Sequence, residues 1–151
     1  MPFDGKRVIY GGFDSIVDAA GKGSAGYADG YVVPVPKGNK QAYREMAAKS
    51  ADVFKEYGAT RVVEAWGDDV PDGKVTDFKR AVKAKEGENV VFSFIEWPDK
   101  ATRDAAWPKI MSNGNATLKA ELSGDFPGSP VTARFHFALV DGQIGSLQIR
   151  N

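Results

Sequence analysis

The sequence predicts an α+β protein built on an antiparallel sheet, and three observations carry this prediction. Segment 39–57 repeats apolar residues at the three-and-four spacing of a helix with one buried face. Two runs rich in β-branched and aromatic residues, 60–66 and 89–97, are typical of paired strands. The C-terminal part alternates apolar and polar residues, and its Asp141-Gly142 step favours a tight hairpin.

The N-terminal part predicts two strands joined by a linker. Lys6–Asp18 has β-branched and aromatic residues at its centre, and Gly11-Gly12 indicates a bulge or a close backbone approach. The small, glycine-rich segment at about 19–28 is typical of a flexible linker. Tyr31–Pro36 predicts a second strand, and its two prolines at alternate positions favour an edge or a strand end.

Two helices follow from the spacing of apolar residues. The first runs from Asn39 to about Tyr57 and ends at Gly58, a residue type common just past a helix end. The second spans about 99–113 and contains Pro108, which should kink or restart it.

The stretch 60–97 holds the central strands and a long charged insertion between them. The insertion predicts a short helix or an extended arm around Phe78. Strand 89–97 places Phe92 and Phe94 on one face and a second set of apolar residues on the other. Because both faces are apolar, both should be covered.

Composition excludes several classes of protein. Twenty Lys+Arg balance twenty Asp+Glu, which argues against a nucleic-acid partner. The chain has no cysteine and a single histidine, so disulfides, thiolate sites and multi-histidine metal sites are excluded, and we predict no metal and no cofactor. No apolar run has the length of a signal peptide or a membrane span, and we expect a soluble, cytoplasmic protein.

The C-terminal part has a different pattern from the rest of the chain. Residues 118–122 and 131–139 alternate, a loop rich in glycine and proline separates them, and a further alternating run follows Asp141-Gly142. This pattern predicts three antiparallel strands. We therefore divide the chain into a domain over 1–113 and a β-hairpin-rich extension over 114–151.

Three stretches of the chain resemble the YbaA-like family of small bacterial proteins, a domain-of-unknown-function family. They are DGYVVPVPKGNKQAYREMA (29–47), FKEYGATRVVEAWGDDVPDGKVTDFKRAVKAKEGE (54–88) and VVFSFIEWPDKATRD (90–104). The resemblance implies a ferredoxin-like fold that assembles as a dimeric α/β barrel. It also implies that a homodimer covers the apolar face of Phe92 and Phe94. The alternative is that the C-terminal extension lies over that face or adds strands to a sheet edge, in the same chain or in a partner.

The order of segments differs from that family. MPFDGKRVIYGGF (1–13) is similar to the segment that usually ends the family's chain, so the resemblance covers about residues 1–112 in circularly permuted order. In a ferredoxin-like unit the first and last strands are neighbours, and a short link could join them. We therefore expect the strand from Lys6 to pair with the strand around Val33.

The C-terminal part resembles a different group. GDFPGSPVTARFHFALVDGQIGSLQI (124–149) is similar to the last strands of SnoaL-like proteins, which share the nuclear-transport-factor-like cone fold. Only three strands of that cone are present, so its pocket is not implied. The complete expectation is a permuted ferredoxin-like antiparallel sheet with two helices on one face and a C-terminal three-stranded extension. A natural recombinant and a constructed chimera both fit this order.

Carboxylates next to large aromatic residues predict a pocket that could serve acid–base chemistry or ligand binding. The catalytic candidates are Glu64, Glu96 and His136, and the ligand-binding candidates are Trp66, Asp68, Phe92, Phe94 and Trp97. The alternative is that Asp68 caps a turn, the tryptophans fill the core, and His136 faces solvent or an interface.

Three functional hypotheses follow. The first is a dimeric α/β-barrel protein that binds a small apolar ligand without catalysis. The second is a cofactor-independent monooxygenase- or cyclase-like enzyme, which rests on analogy of fold. The third is a structural recombinant with no ligand.

Overall fold

The computed structural model describes residues 1–113, 117–122, 131–140 and 143–150, with side chains up to Met111. Two 3-10 turns lie at Gly5–Arg7 and Lys37–Asn39. The longer elements are β1 (Gly12–Ala20), β2 (Tyr27–Pro36), α1 (Lys40–Glu56), β3 (Arg61–Asp69), α2 (Phe78–Ala81), β4 (Glu88–Trp97), α3 (Lys100–Asn113), β5 (Thr117–Leu122), β6 (Val131–Val140) and β7 (Gln143–Arg150).

Four strands form one antiparallel sheet in the order β1-β3-β4-β2. Helices α1 and α3 pack on one side of it, which we call the helix face, and the opposite side is the open face. On the helix face Val62, Ile95 and Trp97 are buried against Ala51 of α1 and Ala106 of α3. The predicted α+β class and the two helices on one face are thus confirmed.

The first helix owes its end to a glycine, as the sequence predicts. Gly58 has φ +108°, a left-handed conformation that disfavours side chains. The following Ala59 N–H donates to the carbonyl of Phe54 at 3.0 Å, which closes the last turn. A Cβ atom on Gly58 would also lie 3.0 Å from Cγ2 of Thr102, so α3 approaches closely there.

The expected pairing of the N-terminal strand with β2 is wrong, because β1 pairs with β3 instead. Pro34 and Pro36 lack N–H donors at alternate positions, and β2 accordingly keeps a single neighbour, β4. On the other edge, Ala19 lies opposite Val62, and Asp18 receives two hydrogen bonds of 2.9 Å from Arg61. Both candidate edges are compatible with an antiparallel β1, and side-chain packing favours β3.

The link between β1 and β2 is shorter than the predicted linker at 19–28. It comprises residues 21–26, because β1 extends to Ala20 and β2 begins at Tyr27. Gly21 N–H donates to Thr60 and Gly26 N–H donates to Trp97, each at 2.8 Å, so the link is fixed across one end of the sheet.

Two further boundaries differ from the expectation. The strand predicted from Lys6 begins at Gly12, because Asp4 caps a 3-10 turn at Gly5–Arg7. Helix α3 continues through Pro108 from Lys100 to Asn113, so the proline does not restart it.

The insertion between β3 and β4 contains a single helical turn, α2. Asp77, only 3% exposed, accepts hydrogen bonds from Arg80 N–H, Arg80 Nε and Gly73 N–H. These bonds hold the pKa of the Asp77 carboxyl at about 2, below its usual range. They also fold the insertion back so that Phe78 reaches the open face.

The C-terminal strands form a separate antiparallel sheet in the order β5-β6-β7, which confirms the predicted three strands. Leu118 lies opposite Phe135, and Phe137 lies opposite Leu147. The predicted loop at 124–130 and the predicted hairpin turn at Asp141-Gly142 lie outside the described residues. The domain boundary at 113/114 and the resemblance of this part to SnoaL-like proteins stay predictions.

Candidate functional site

Four phenylalanines meet on the open face and form what we call the aromatic cluster: Phe13 of β1, Phe78 of α2, and Phe92 and Phe94 of β4. The ring centroids of Phe13 and Phe78 are 5.1 Å apart, and Phe92 lies 5.7 Å from Phe13 and 6.0 Å from Phe78. Phe94 follows 6.3 Å from Phe92. These distances suit edge-on and tilted aromatic contacts.

The aromatic cluster has a closed base and an exposed surface. Its base is Ala65 and Val63, which lie opposite Phe92 and Phe94 in register and are 8% and 7% exposed. Phe92 itself is 37% exposed. Among the described residues up to Met111, the single turn α2 reaches this cluster, while α1 and α3 pack on the helix face.

Arg61 supplies a charge at the rim of this apolar surface. Its guanidinium carbon lies 5.8 Å from the ring centroid of Phe94, within cation–π range. Two hydrogen bonds that Arg61 donates to the Asp18 carboxylate fix its orientation. The open face therefore presents aromatic rings beside an oriented cation.

A second group of polar side chains lies on the helix face around Glu64. Tyr43 of α1 donates to Oε2 of Glu64 at 2.8 Å, and the Ser93 hydroxyl donates to the same oxygen. Burial raises the pKa of the Glu64 carboxyl, and the bonds from Ser93 and Tyr43 oppose that shift. A carboxyl of raised pKa with two ordered hydroxyls could exchange a proton.

Two tyrosines next to this carboxyl are also perturbed. Burial raises the pKa of Tyr43, with the charge of Glu64 adding to the effect. Burial likewise raises the pKa of Tyr31, which lies opposite Ser93 in the neighbouring strand. Both phenols therefore stay protonated and act as hydrogen-bond donors.

The structure does not bring the three catalytic candidates together. Glu64 lies on the helix face, whereas Glu96 lies opposite Arg61 on the open face. His136 is in β6, opposite Thr117 and Gln148, and its side chain lies outside the description.

The structure also places the five ligand-binding candidates in different parts of the molecule. Trp66 (7% exposed) and Trp97 (0% exposed) are buried in the helix face, about 20 Å apart along the sheet at the usual rise per strand residue. Asp68 is exposed near the end of β3. Phe92 and Phe94 share the aromatic cluster on the opposite side, so two of the five candidates are neighbours.

A cluster that sequence reasoning missed is centred on Asp29 of β2. Its carboxylate accepts hydrogen bonds from Trp97 Nε1 at 3.0 Å, from Trp107 Nε1 at 3.3 Å and from Arg103 Nη2 at 2.6 Å. The partners lie more than sixty residues away in sequence, so no local pattern signals the cluster. The cluster links β2, β4 and α3. Because these hydrogen bonds occupy the Asp29 carboxylate, we assign the cluster a structural role.

A shallow cavity of about 580 Å³ lies where the start of α1 meets the irregular part of β1. Lys40 and Arg44 line it together with Asp14, and Arg44 Nε donates to the carbonyl of Ile16 at 3.0 Å. Lys40 lies 5.6 Å from the ring centroid of Trp66. Both cations of the cavity thus have partners: Arg44 contacts the backbone and Lys40 contacts the Trp66 ring.

The described part of the chain contains neither a candidate metal site nor a membrane-spanning helix. No group of three His, Asp or Glu residues is arranged to hold a metal ion in this part. No helix among the same residues is long and apolar enough to cross a membrane.

The described residues define a small α+β protein whose four-stranded sheet carries α1 and α3 on the helix face and the aromatic cluster on the open face. Residues 26–125 match the family described as "Protein of unknown function (DUF1428)", and the chain belongs to this family. It is similar to "Uncharacterized protein YbaA" of Escherichia coli (strain K12), 66% identical over 87 residues, which cover 58% of this chain and 74% of that protein. YbaA of Shigella flexneri matches to the same extent.

The family match confirms the YbaA-like resemblance of the central stretches. It begins at residue 26, after β1. The permuted order of the N-terminal segment stays a prediction.

Proposed function

We propose that the protein is a homodimer that binds a small apolar molecule against its open face without converting it. The observation that carries this proposal is the aromatic cluster on the sheet face that α1 and α3 leave uncovered. Large apolar patches on monomeric proteins are uncommon and mark binding surfaces. The exposure of Phe92 and the buried base beneath it support such a use.

A second copy of the chain is a suitable cover for this face. Two sheets that pack face to face lie about 10 Å apart, and a twofold axis brings each aromatic cluster towards the other. Full burial of a phenylalanine side chain contributes about 1.5–3 kcal/mol, and because Phe92 is only 37% exposed before association, each ring supplies a part of that value.

The chemistry of the open face indicates the class of ligand. Four phenyl rings offer apolar contact and edge-on stacking, which suit a planar aromatic or a compact aliphatic molecule. Arg61 at the rim adds attraction for an electron-rich ring or an anionic substituent.

A fluorescent apolar probe tests this proposal. N-phenyl-1-naphthylamine should gain fluorescence with the wild-type protein, and Phe92→Ser should raise its Kd by about tenfold or more because apolar contact area is lost. Val53→Ser is the matched control, since Val53 is similarly exposed at 39% but lies on α1. Equal binding by wild type and Phe92→Ser would contradict the proposal.

A second candidate function is suggested by the raised pKa of Glu64. In a cofactor-independent enzyme this carboxyl would move a proton, with Tyr43 and Ser93 positioning Oε2. Glu64→Gln should then abolish turnover of a panel of aromatic polyketides, while Glu96→Gln on the open face should leave it unchanged. Absence of turnover by the wild-type protein, with probe binding intact, would count against the enzyme.

A further inference from the structure

The first eleven residues form an N-terminal arm that has structure but buries none of its side chains. Asp4 accepts hydrogen bonds from Lys6 N–H at 2.9 Å and Arg7 Nε at 3.0 Å, which fold a 3-10 turn. No residue of that turn is buried. The arm is therefore locally shaped without being packed against the sheet.

Exposed large hydrophobic residues concentrate in this arm. Seven are exposed among the residues with described side chains, and four of them belong to the arm: Met1 (96%), Phe3 (58%), Val8 (55%) and Tyr10 (67%). Another of the seven, Phe92, belongs to the aromatic cluster. Among the described side chains, the arm and the open face thus hold five of the seven exposed large hydrophobic residues.

The arm leaves the sheet next to the aromatic cluster. It joins β1 at Gly12, opposite Asp69, and the next residue is Phe13 of the cluster. A Cβ atom placed on Gly11 would lie 2.9 Å from the Phe13 ring and 3.4 Å from the Phe78 ring. The root of the arm therefore lies against the cluster, while its large apolar residues are exposed.

Resting on the proposed dimer, we propose that the N-terminal arm of each copy docks on the other copy and extends the interface begun by the open face. Eleven residues can span up to about 36 Å when extended, whereas a four-stranded sheet is about 14 Å wide between its outer strands. An exchanged arm can therefore cross the partner's sheet. Val8 and Tyr10, nearest the root, add apolar area that the aromatic cluster alone does not supply.

Arm exchange also explains how a small patch reaches the size of a stable interface. Specific interfaces bury about 800 Å² on each partner, more than four partly exposed phenyl rings offer. Arms that cross between two copies add their own surface twice, because a twofold axis repeats every contact.

The test is the concentration dependence of the dimer, measured by light scattering on the full chain. Val8→Ser/Tyr10→Ser should raise the dimer Kd at least about a hundredfold, through loss of buried apolar area on both arms. Both residues are exposed, so their replacement removes no packing within one copy. Val53→Ser, on α1, is the control and should leave the Kd unchanged.

Phe92→Ser separates this inference from the proposed function on which it rests. If Phe92→Ser dissociates the dimer and Val8→Ser/Tyr10→Ser does not, the arm inference is overturned and the open-face dimer is supported. If wild type is a monomer of 16.3 kDa at every concentration, or if neither variant weakens the dimer, both are overturned.

Discussion

At the scale of single residues, Glu64 is the group whose environment most affects its chemistry. Burial raises its pKa above the ordinary value of 4.5, so the folded state binds the proton more tightly than the unfolded state. The stability it contributes is present below pH 4.5 and is lost as the pH rises through the folded-state pKa. Glu64 therefore favours the folded state in acid.

The raised pKa of Glu64 predicts a measurable pH dependence of the free energy of unfolding. The free energy of unfolding of wild type, relative to Glu64→Gln, should fall as the pH rises from about 4 towards neutrality. Tyr43→Phe removes one donor to Oε2, so the fall should extend to higher pH. Urea unfolding at a series of pH values measures both. A difference between wild type and Glu64→Gln that does not change with pH would contradict this account.

Asp29 ties α3 to the sheet, because it accepts hydrogen bonds from Arg103 and Trp107. Asp29→Asn removes the charge opposite Arg103, whose side chain is only 17% exposed, and should lower the free energy of unfolding by about 3 kcal/mol. Asp104→Asn is the matched control, because Asp104 pairs with the same guanidinium but is 44% exposed, and it should cost less than about 1 kcal/mol. Equal losses for the two variants in urea unfolding would show that Asp29 has no special structural role.

At the scale of elements, the sequence predicts the helices and strands that depend on a local pattern of apolar residues. Helix α1, strand β4 and helix α3 follow from apolar spacing, and Gly58 ends α1 as predicted. The partner of β1 could not be predicted in this way, because both edges of the β2-β4-β3 ribbon accept an antiparallel strand. The single pocket predicted from the sequence is wrong for a similar reason. Alternation along the strands places Trp66 on the helix face and Phe92 on the open face.

The pairing of β1 can be tested with engineered cysteines, since the natural chain has none. Ser15 lies opposite Ala65, and directly opposed residues have the Cα separation that a disulfide needs. Ser15→Cys/Ala65→Cys should therefore oxidise to an intramolecular disulfide, seen by mass spectrometry of peptides. The control is Ser15→Cys with Val32→Cys of β2. This pair should not form a disulfide, because β3 and β4 lie between the two strands. The opposite result would restore the pairing of β1 with β2.

At the scale of the whole molecule, the described residues up to Met111 place α1 and α3 on the helix face and leave the aromatic cluster partly exposed on the open face. The chain has a formal net charge of zero, so copies do not repel each other at long range, and this favours self-association. The aromatic cluster and the N-terminal arm provide the surface for it. The proposed homodimer completes the sheet, with an apolar ligand held where the two open faces meet.

Sedimentation velocity of the wild-type chain tests this central claim most directly. A second copy on the open face predicts a mass of about twice 16.3 kDa at micromolar concentration, with reversible dissociation on dilution. A mass of 16.3 kDa up to the highest soluble concentration would contradict it, and would mean that the open face is either covered from within the chain or left exposed.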